Sequence, residues 1–343
     1  MASTTKNGKL RASKVQKLIA NNAILFIWLL FFVVSLIAIK GFASLYNIKS
    51  YLVNCAVLLI AAIGLTFPTL NGGIDFSMTS VIDLVSTISA YIMVLTSLKG
   101  SAWAIPVAIV VSLAIGAAVG AINGLAVSRL KMPSFVATLS TMMIVSGIAV
   151  WFGNRHYEKV SLSGLPDGFT VLNGKGALWF LPVVIAAAIF LYCHWLLTRT
   201  LFGRRVYSVG VNPRTSEISG IPVKKIVFSL SLISGVMASV AGILYTAKNG
   251  AGIVTLGDDM FINFVGSVVI GGTSPMGGSG GVKQTLYGVL FVMLISNILN
   301  LLGVNYTMYD VVKGVFILLA AGLELVTRRM NEKAAVLASK EAA

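Results

Sequence analysis

Charge is scarce in this chain of 343 residues: Asp, Glu, Lys and Arg together make up 11% of it, where soluble domains carry roughly 25%. Apolar residues take the vacated share at 57%, and the mean hydropathy is +0.91. A soluble fold with that composition would expose large apolar patches and aggregate. The same lack of polar residues excludes a disordered chain and a coiled coil. Regular apolar–polar alternation is also missing, which excludes an outer-membrane barrel, because barrel strands need it. Acidic residues are scarcer than basic ones, 11 against 26, for a formal charge of +15. In a soluble protein that excess would point to nucleic acid. Here basic residues flanking apolar spans account for it, and nucleic acid is excluded as a partner. The two cysteines, Cys55 and Cys193, sit inside apolar runs and read as buried free thiols. Two histidines, His156 and His194, are too few for a metal cluster. No G-x-x-x-x-G-K-[ST] occurs; the closest stretch, Gly278 to Gln284, lacks its ending. No Ser/His/Asp constellation appears either. The chain therefore reads as a non-enzyme, with no catalytic residue, metal or cofactor of its own.

What remains is a polytopic, all-α integral membrane protein. A helical span needs about 20 apolar residues to cross roughly 30 Å of hydrocarbon. The apolar runs predict ten spans, at about 20–39, 50–70, 79–98, 103–127, 133–152, 177–197, 225–247, 261–273, 285–303 and 308–326. Residues 1–23 form a basic tail with Lys6, Lys9, Arg11, Lys14 and Lys17; residues 24–326 form the membrane domain; residues 327–343 form a second tail. No small-residue cleavage site ends the first run, so the first span is read as retained. With both ends cytoplasmic, 18 Lys/Arg fall on the inner side and seven on the outer, and Lys313 lies within the last span. That asymmetry supports the orientation.

Two segments are too polar for lipid yet lie among the spans. One is Asn71-Gly72-Gly73-Ile74-Asp75-Phe76-Ser77; the other runs from Gly271-Gly272-Thr273-Ser274 to Gly280-Gly281. Irregular backbone at membrane depth survives only where protein or a water-filled cavity covers it. One such segment in each half of the chain suggests two related halves and a transport pathway; tight interhelical turns are the competing reading. Gly116, Gly120 and Gly124, four residues apart, predict close helix packing. The loop 199–223 predicts a short surface helix, with Asn212 as N-cap, Pro213 in the first turn and Gly220 as terminator. Such a helix suits docking in a partner's groove. Asp83 is the ionisable residue within a span that invites a functional test. Asp310 and Lys313, at i and i+3, read as a structural ion pair, and Glu324 lies beside Arg328 at i+4.

Four stretches, in order from about residue 50 to 326, resemble the permease subunit of sugar-type ABC importers, the ribose/xylose/arabinose/galactoside group. They are Gly72-Gly73-Ile74-Asp75-Phe76-Ser77; Asn123-Gly124 to Arg129 with Pro133-Ser134-Phe135-Val136-Ala137-Thr138-Leu139; Phe202-Gly203-Arg204 to Asn212 with Ser219-Gly220-Ile221; and Gly271-Gly272-Thr273-Ser274 with Gly277-Gly278, Asn300-Leu301-Leu302-Gly303-Val304 and Val312-Lys313-Gly314. The chain departs from the family at Pro213–Glu217, where a Glu-Ala-Ala-like run is usual, and at Met78-Thr79, where Val-Gly is usual. Asp83 is a further departure. The resemblance implies a permease working as a homo- or heterodimer in the bacterial inner membrane. It implies a cytoplasmic ATPase subunit that carries ATP-Mg and docks on a coupling loop containing Phe202, Gly203, Arg204, Asn212, Glu217, Ser219, Gly220 and Ile221. It also implies a periplasmic or lipid-anchored solute-binding protein. Asn71, Asp75, Ser77, Asp83, Thr273, Ser274 and Asn300 are then the candidate pathway residues for a monosaccharide-like solute. A single-chain, ion-coupled transporter using Asp83 is the alternative.

Overall fold

A computed structural model describes residues 23–305 together with 308, 311, 312, 314, 315, 318 and 322. The N-terminal tail up to residue 22, the expected pairs Asp310–Lys313 and Glu324–Arg328, and the C-terminal tail lie outside the described residues. The chain divides into two compact units, one of residues 45–289 and one in which residues up to 44 join those from 290 onward.

In the second of these, α1 (Ala23–Ala38) is apolar apart from Ser35, whose hydroxyl donates to the Phe31 carbonyl. Its aromatic side chains pack edge-on: Phe32 against Phe42 at 5.4 Å and Phe31 against Phe291 at 6.2 Å between ring centroids.

The larger unit starts with α2 (Leu45–Thr69), α3 (Met78–Val94), α4 (Ala104–Ser128) and α5 (Ser134–His156). It continues with β1 (Ser161–Ser163), α6 (Asp167–Thr170), α7 (Leu181–Arg199), α8 (Leu201–Val211), α9 (Pro213–Ile218) and α10 (Val223–Asn249). Strand β2 (Ala251–Ile253), α11 (Phe261–Ile270) and the start of α12 (Val282–Leu301) close it. Six helices, α2, α4, α5, α7, α10 and α12, are long and apolar enough to cross a membrane. Each of the first nine expected spans falls on a helix. The eighth is the exception in kind: α11 has ten residues, about 15 Å of rise, half a bilayer core. Most of the tenth lies outside the described residues.

Helix α3 is the axis of this unit. Fifteen of its 17 residues are buried, and α4, α5 and α10 surround it. By contrast α4, α5 and α7 bury only one stripe each. They turn large apolar side chains outward, among them Val110, Met143, Trp151 and Leu191, the exposure pattern of helices solvated by lipid. A close seam joins α4 to α10. A methyl group on Gly120 would come within 2.6 Å of the Ser231 carbonyl oxygen, and one on Gly124 within 3.0 Å of the Phe228 carbonyl oxygen. Gly116 faces Gly235 so closely that either Cβ would overlap the other's carbonyl oxygen. Backbone-to-backbone packing of this kind needs small residues on both sides. Both cysteines are buried and unpaired.

Three elements escape sequence patterning. Strands β1 and β2 pair antiparallel, Leu162 opposite Gly252, each too short to show a period. Helix α8 lies in what reads as loop. Thr200 caps it by accepting the Gly203 N–H at 3.3 Å, and Gly203, Val206 and Val209 form its buried stripe. Helix α9 forms where Asn212 and Pro213 predict it: the Asn212 side chain accepts the Thr215 N–H at 3.0 Å, and Gly220 follows at φ +79°.

Candidate functional site

After α2 the chain turns at Gly72, whose φ of +74° suits glycine, and returns into the bundle as an extended segment. At its end lies a buried chain of polar groups. The Asp75 carboxylate accepts the Ser77 N–H at 3.0 Å and the Ser77 hydroxyl at 2.6 Å through Oδ1, and the Ser234 hydroxyl at 2.7 Å through Oδ2. Ser77 Oγ accepts from Asn123 Nδ2 at 2.8 Å, and Asn123 Oδ1 accepts from the Thr141 hydroxyl at 2.7 Å. The network thereby ties α3, α4, α5 and α10 to one non-helical segment. Ser234 is 11 residues into α10, about 16 Å along it, so the network lies near mid-span. Asp75 is 2% exposed and Ser77 1%. Their polar atoms are engaged inside the chain.

A second irregular segment, β2 followed by turns through residue 260, descends along α3 from its other end. The Ile253 N–H donates to Ser86 Oγ at 2.9 Å, and the Gly257 N–H donates to Asp83 Oδ1 at 2.6 Å. The Tyr157 hydroxyl donates to the Thr87 carbonyl. A Cβ on Gly257 would overlap the Thr79 carbonyl oxygen. Phe76 and Phe261 then stack at 4.4 Å where the two segments approach each other. Backbone freed from helix inside a bilayer must find partners within the protein. Asp75, Asp83, Ser86 and Thr138, which donates to the Ile74 carbonyl at 3.1 Å, are those partners. Asp83→Asn keeps the acceptor for Gly257. Its melting temperature and solute uptake should match the wild type. Loss of uptake in a well-folded Asp83→Asn protein would instead indicate an ionisable function. Asp83→Leu orphans the N–H, at a cost of about 1–3 kcal/mol.

The two glycine-rich segments meet. Gly278 N–H donates to the Leu70 carbonyl at 2.9 Å, and Gly277 lies against Gly72 N. Nearby, α2 crosses α12 with Thr66 and Thr285 hydroxyls 2.6 Å apart. Thr273 and Ser274 fold the second segment on itself: Thr273 Oγ1 accepts the Gly281 N–H at 3.1 Å, and Ser274 N–H donates to the Ser279 carbonyl at 3.1 Å. Helix α8 packs on both segments. A Cβ on Gly210 would overlap the Leu70 carbonyl oxygen and lie 2.7 Å from Gly278 N. The Tyr207 hydroxyl donates to the Gly280 carbonyl at 2.8 Å, and burial raises its pKa above the usual phenol value. Ser208 and Ser216 hydroxyls, 2.9 Å apart, bind α8 to α9. Tyr207→Phe removes one such bond and should lower stability by about 1 kcal/mol, read as a drop of a few degrees in the melting temperature.

Of the other expected site residues, Asn71 keeps a buried amide oxygen without a hydrogen-bond partner, beside this junction. Asn300 is exposed on α12 and belongs to the other unit. Phe202 is half-buried, Gly203 is buried against α7, and Arg204, Glu217, Ser219 and Gly220 are exposed. Asn212 is the exposed cap of α9, and Ile221 is half-buried, its N–H donating to the Ser216 carbonyl. Sequence reasoning does not single out Thr141, Ser234, Tyr207 or Gly210, and it quotes Asn123 only as part of a family stretch, without a role. Thr and Ser are common in apolar helices, and Tyr207 and Gly210 lie within what reads as loop.

Residues 47–321 match the family described as the branched-chain amino acid transport system / permease component. Among curated proteins, the chain is 34% identical to the ribose import permease protein RbsC of Escherichia coli (strain K12), over 82% of this chain and 86% of that one. It is 33% identical to RbsC of Bacillus subtilis (strain 168), over 86% and 90%. With the xylose transport system permease protein XylH of Escherichia coli (strain K12) it shares 27% identity over 85% and 88%.

Proposed function

The chain belongs to the family of branched-chain amino acid transport system permease components, and from that premise we propose that it is the membrane-spanning subunit of an ATP-driven importer for ribose or a related monosaccharide. The likeness to ribose import permeases over more than four fifths of the chain carries this reading. It favours a sugar over the amino acids in the family's description, and it disfavours a single-chain ion-coupled transporter. ATP-Mg is bound and hydrolysed on a separate subunit.

In this reading two copies, or two related permeases, line the pathway in the bacterial inner membrane, and a periplasmic or lipid-anchored binding protein delivers the solute. Ten crossings in two related halves put both termini in the cytoplasm, the eighth being made by residues 251–260 together with α11. Helix α9 is the coupling helix. Val211 and Ile218 are 74% and 82% exposed around it, next to exposed Arg214 and Glu217. Apolar groups left bare on a water-facing turn, among charges of both signs, suit an obligate partner.

The test is co-purification. The tagged chain is extracted from its host in mild detergent and its partners are identified by mass spectrometry. A subunit with a Walker A motif supports the reading, and Glu217→Arg should weaken its retention. The co-purifying binding protein then reports the solute by its own ligand affinity. A clean single-chain oligomer with intact uptake in liposomes would overturn the proposal.

A further inference from the structure

At the end of the larger unit remote from α8, the first turns of α2, the loop 173–179 and the last turn of α10 enclose a cavity of about 590 Å³. Lys49, Lys175 and Lys248 line it, and no Asp or Glu among the described residues does. Gathering three ammonium groups without a counter-charge is unfavourable, and more so beside a low-dielectric bundle. Aromatic rings hold two of them without neutralising them. Lys49 Nζ sits 5.2 Å from the centre of the Trp179 ring, and Lys248 Nζ 5.9 Å from that of Tyr245. The cavity is deep. Asn54, also in its lining, is nine residues along α2 from Leu45 at the rim, a descent of about 13 Å. The Asn54 amide oxygen is buried without a hydrogen-bond partner. The rim is apolar and aromatic: Leu45 is 70% exposed and Tyr46 83%, with Trp179 adjacent. Aromatic and basic side chains together at helix ends are the composition of a membrane–water boundary.

We propose that this cavity binds a phosphate ester carrying free hydroxyls, of the kind presented by the glycerophosphate headgroup of an anionic phospholipid. Lys49, Lys175 and Lys248 hold the phosphate as point charges, and the side-chain amide of Asn54, in the lining, lies within the reach of the headgroup hydroxyls. An acidic side chain on the surface of a folded partner would stop short of the cavity floor, which argues against a protein occupant. A free phosphate ester offers the same chemistry as the lipid, so the test separates the two. The site is independent of the transport reading and can fail without it.

The full chain, in detergent micelles supplemented with phosphatidylcholine, is titrated with dihexanoyl-phosphatidylglycerol, with sn-glycerol 1-phosphate, and with dihexanoyl-phosphatidylcholine as the zwitterionic control of no net charge. Melting temperature and native mass spectrometry are the readouts. The expected result is a rise of several degrees with the anionic lipid and none with the control. Lys49→Gln, Lys175→Gln and Lys248→Gln combined should abolish it. A larger shift with glycerol phosphate than with the lipid would assign the same site to a soluble ester. No shift with either probe, or an equal shift in the triple variant, overturns the proposal. Neither probe binding while the triple variant loses binding-protein-dependent uptake would overturn it in favour of a protein-docking face. Should the triple variant fail to fold, Lys175→Gln alone, on an exposed loop, should weaken binding at least threefold; unchanged binding overturns the proposal.

Discussion

Asp75→Ala should lower stability by about 3 kcal/mol or more, enough to remove most of the folded protein from detergent extracts. Three donors converge on this carboxylate, and all three are buried. Alanine leaves the Ser77 N–H and two hydroxyls without their acceptor, and each orphaned buried donor costs about 1–3 kcal/mol. The hydroxyls can swing to weaker partners; the N–H cannot. Asp75→Asn separates structure from chemistry. Its amide oxygen still accepts both Ser77 donors, and its new NH₂ faces Ser234 Oγ, which can turn to accept. The Asn variant should therefore recover most of the lost stability and retain uptake. Gel-filtration yield, a melting curve and labelled-solute uptake decide the matter together. A stable Asn variant that cannot transport would show that Asp75 serves the solute rather than the fold.

The sequence announces the membrane class through composition, and it announces most spans through unbroken apolar runs. Helix α9 is legible because Asn212, Pro213 and Gly220 each have a local physical meaning. The irregular segments beside α3 are harder. Glycine and aspartate reveal that 71–77 is not lipid-facing helix, yet nothing local says that Asp75 reaches Ser234, 159 positions along the chain. Residues 251–260 carry no comparable flag, and their depth emerges only through Asp83 and Ser86. An acidic residue in a span reads as a functional group in one dimension. In three dimensions Asp83 is the acceptor for a backbone N–H with no helical partner. Helix α8 is amphipathic, with a buried stripe of Gly203, Val206 and Val209; it escapes notice because the whole stretch 199–223 between two spans reads as one connecting loop. The family resemblance supplies the partners, which no residue pattern in a single chain can name.

Gly210→Leu should abolish solute uptake, reducing it at least tenfold, while leaving ATPase association intact. Gly210 is the point at which α8 touches the ends of two long helices: Leu70, after α2, and Gly278, before α12. Its missing side chain allows the Leu70 carbonyl to accept the Gly278 N–H directly. A leucine there must displace one segment from the other and break that bond. Such overpacking costs about 1–3 kcal/mol. The strain falls at the junction, because α9, bound to α8 through Ser208 and Ser216, keeps its exposed face. Within the proposed importer, movement of α9 on ATP binding reaches α2 and α12 through this contact, and a wedge at Gly210 disconnects them. Gly147→Leu is the matched control: nothing lies within 4 Å of a Cβ at Gly147, so the same side chain should leave uptake unchanged. Full uptake by a folded Gly210→Leu protein would sink the lever. Loss of both folding and ATPase retention would show that the junction holds the bundle together rather than transmitting motion. The gentler Gly210→Ala variant then distinguishes the cases, since a lever predicts that uptake falls before the melting temperature does.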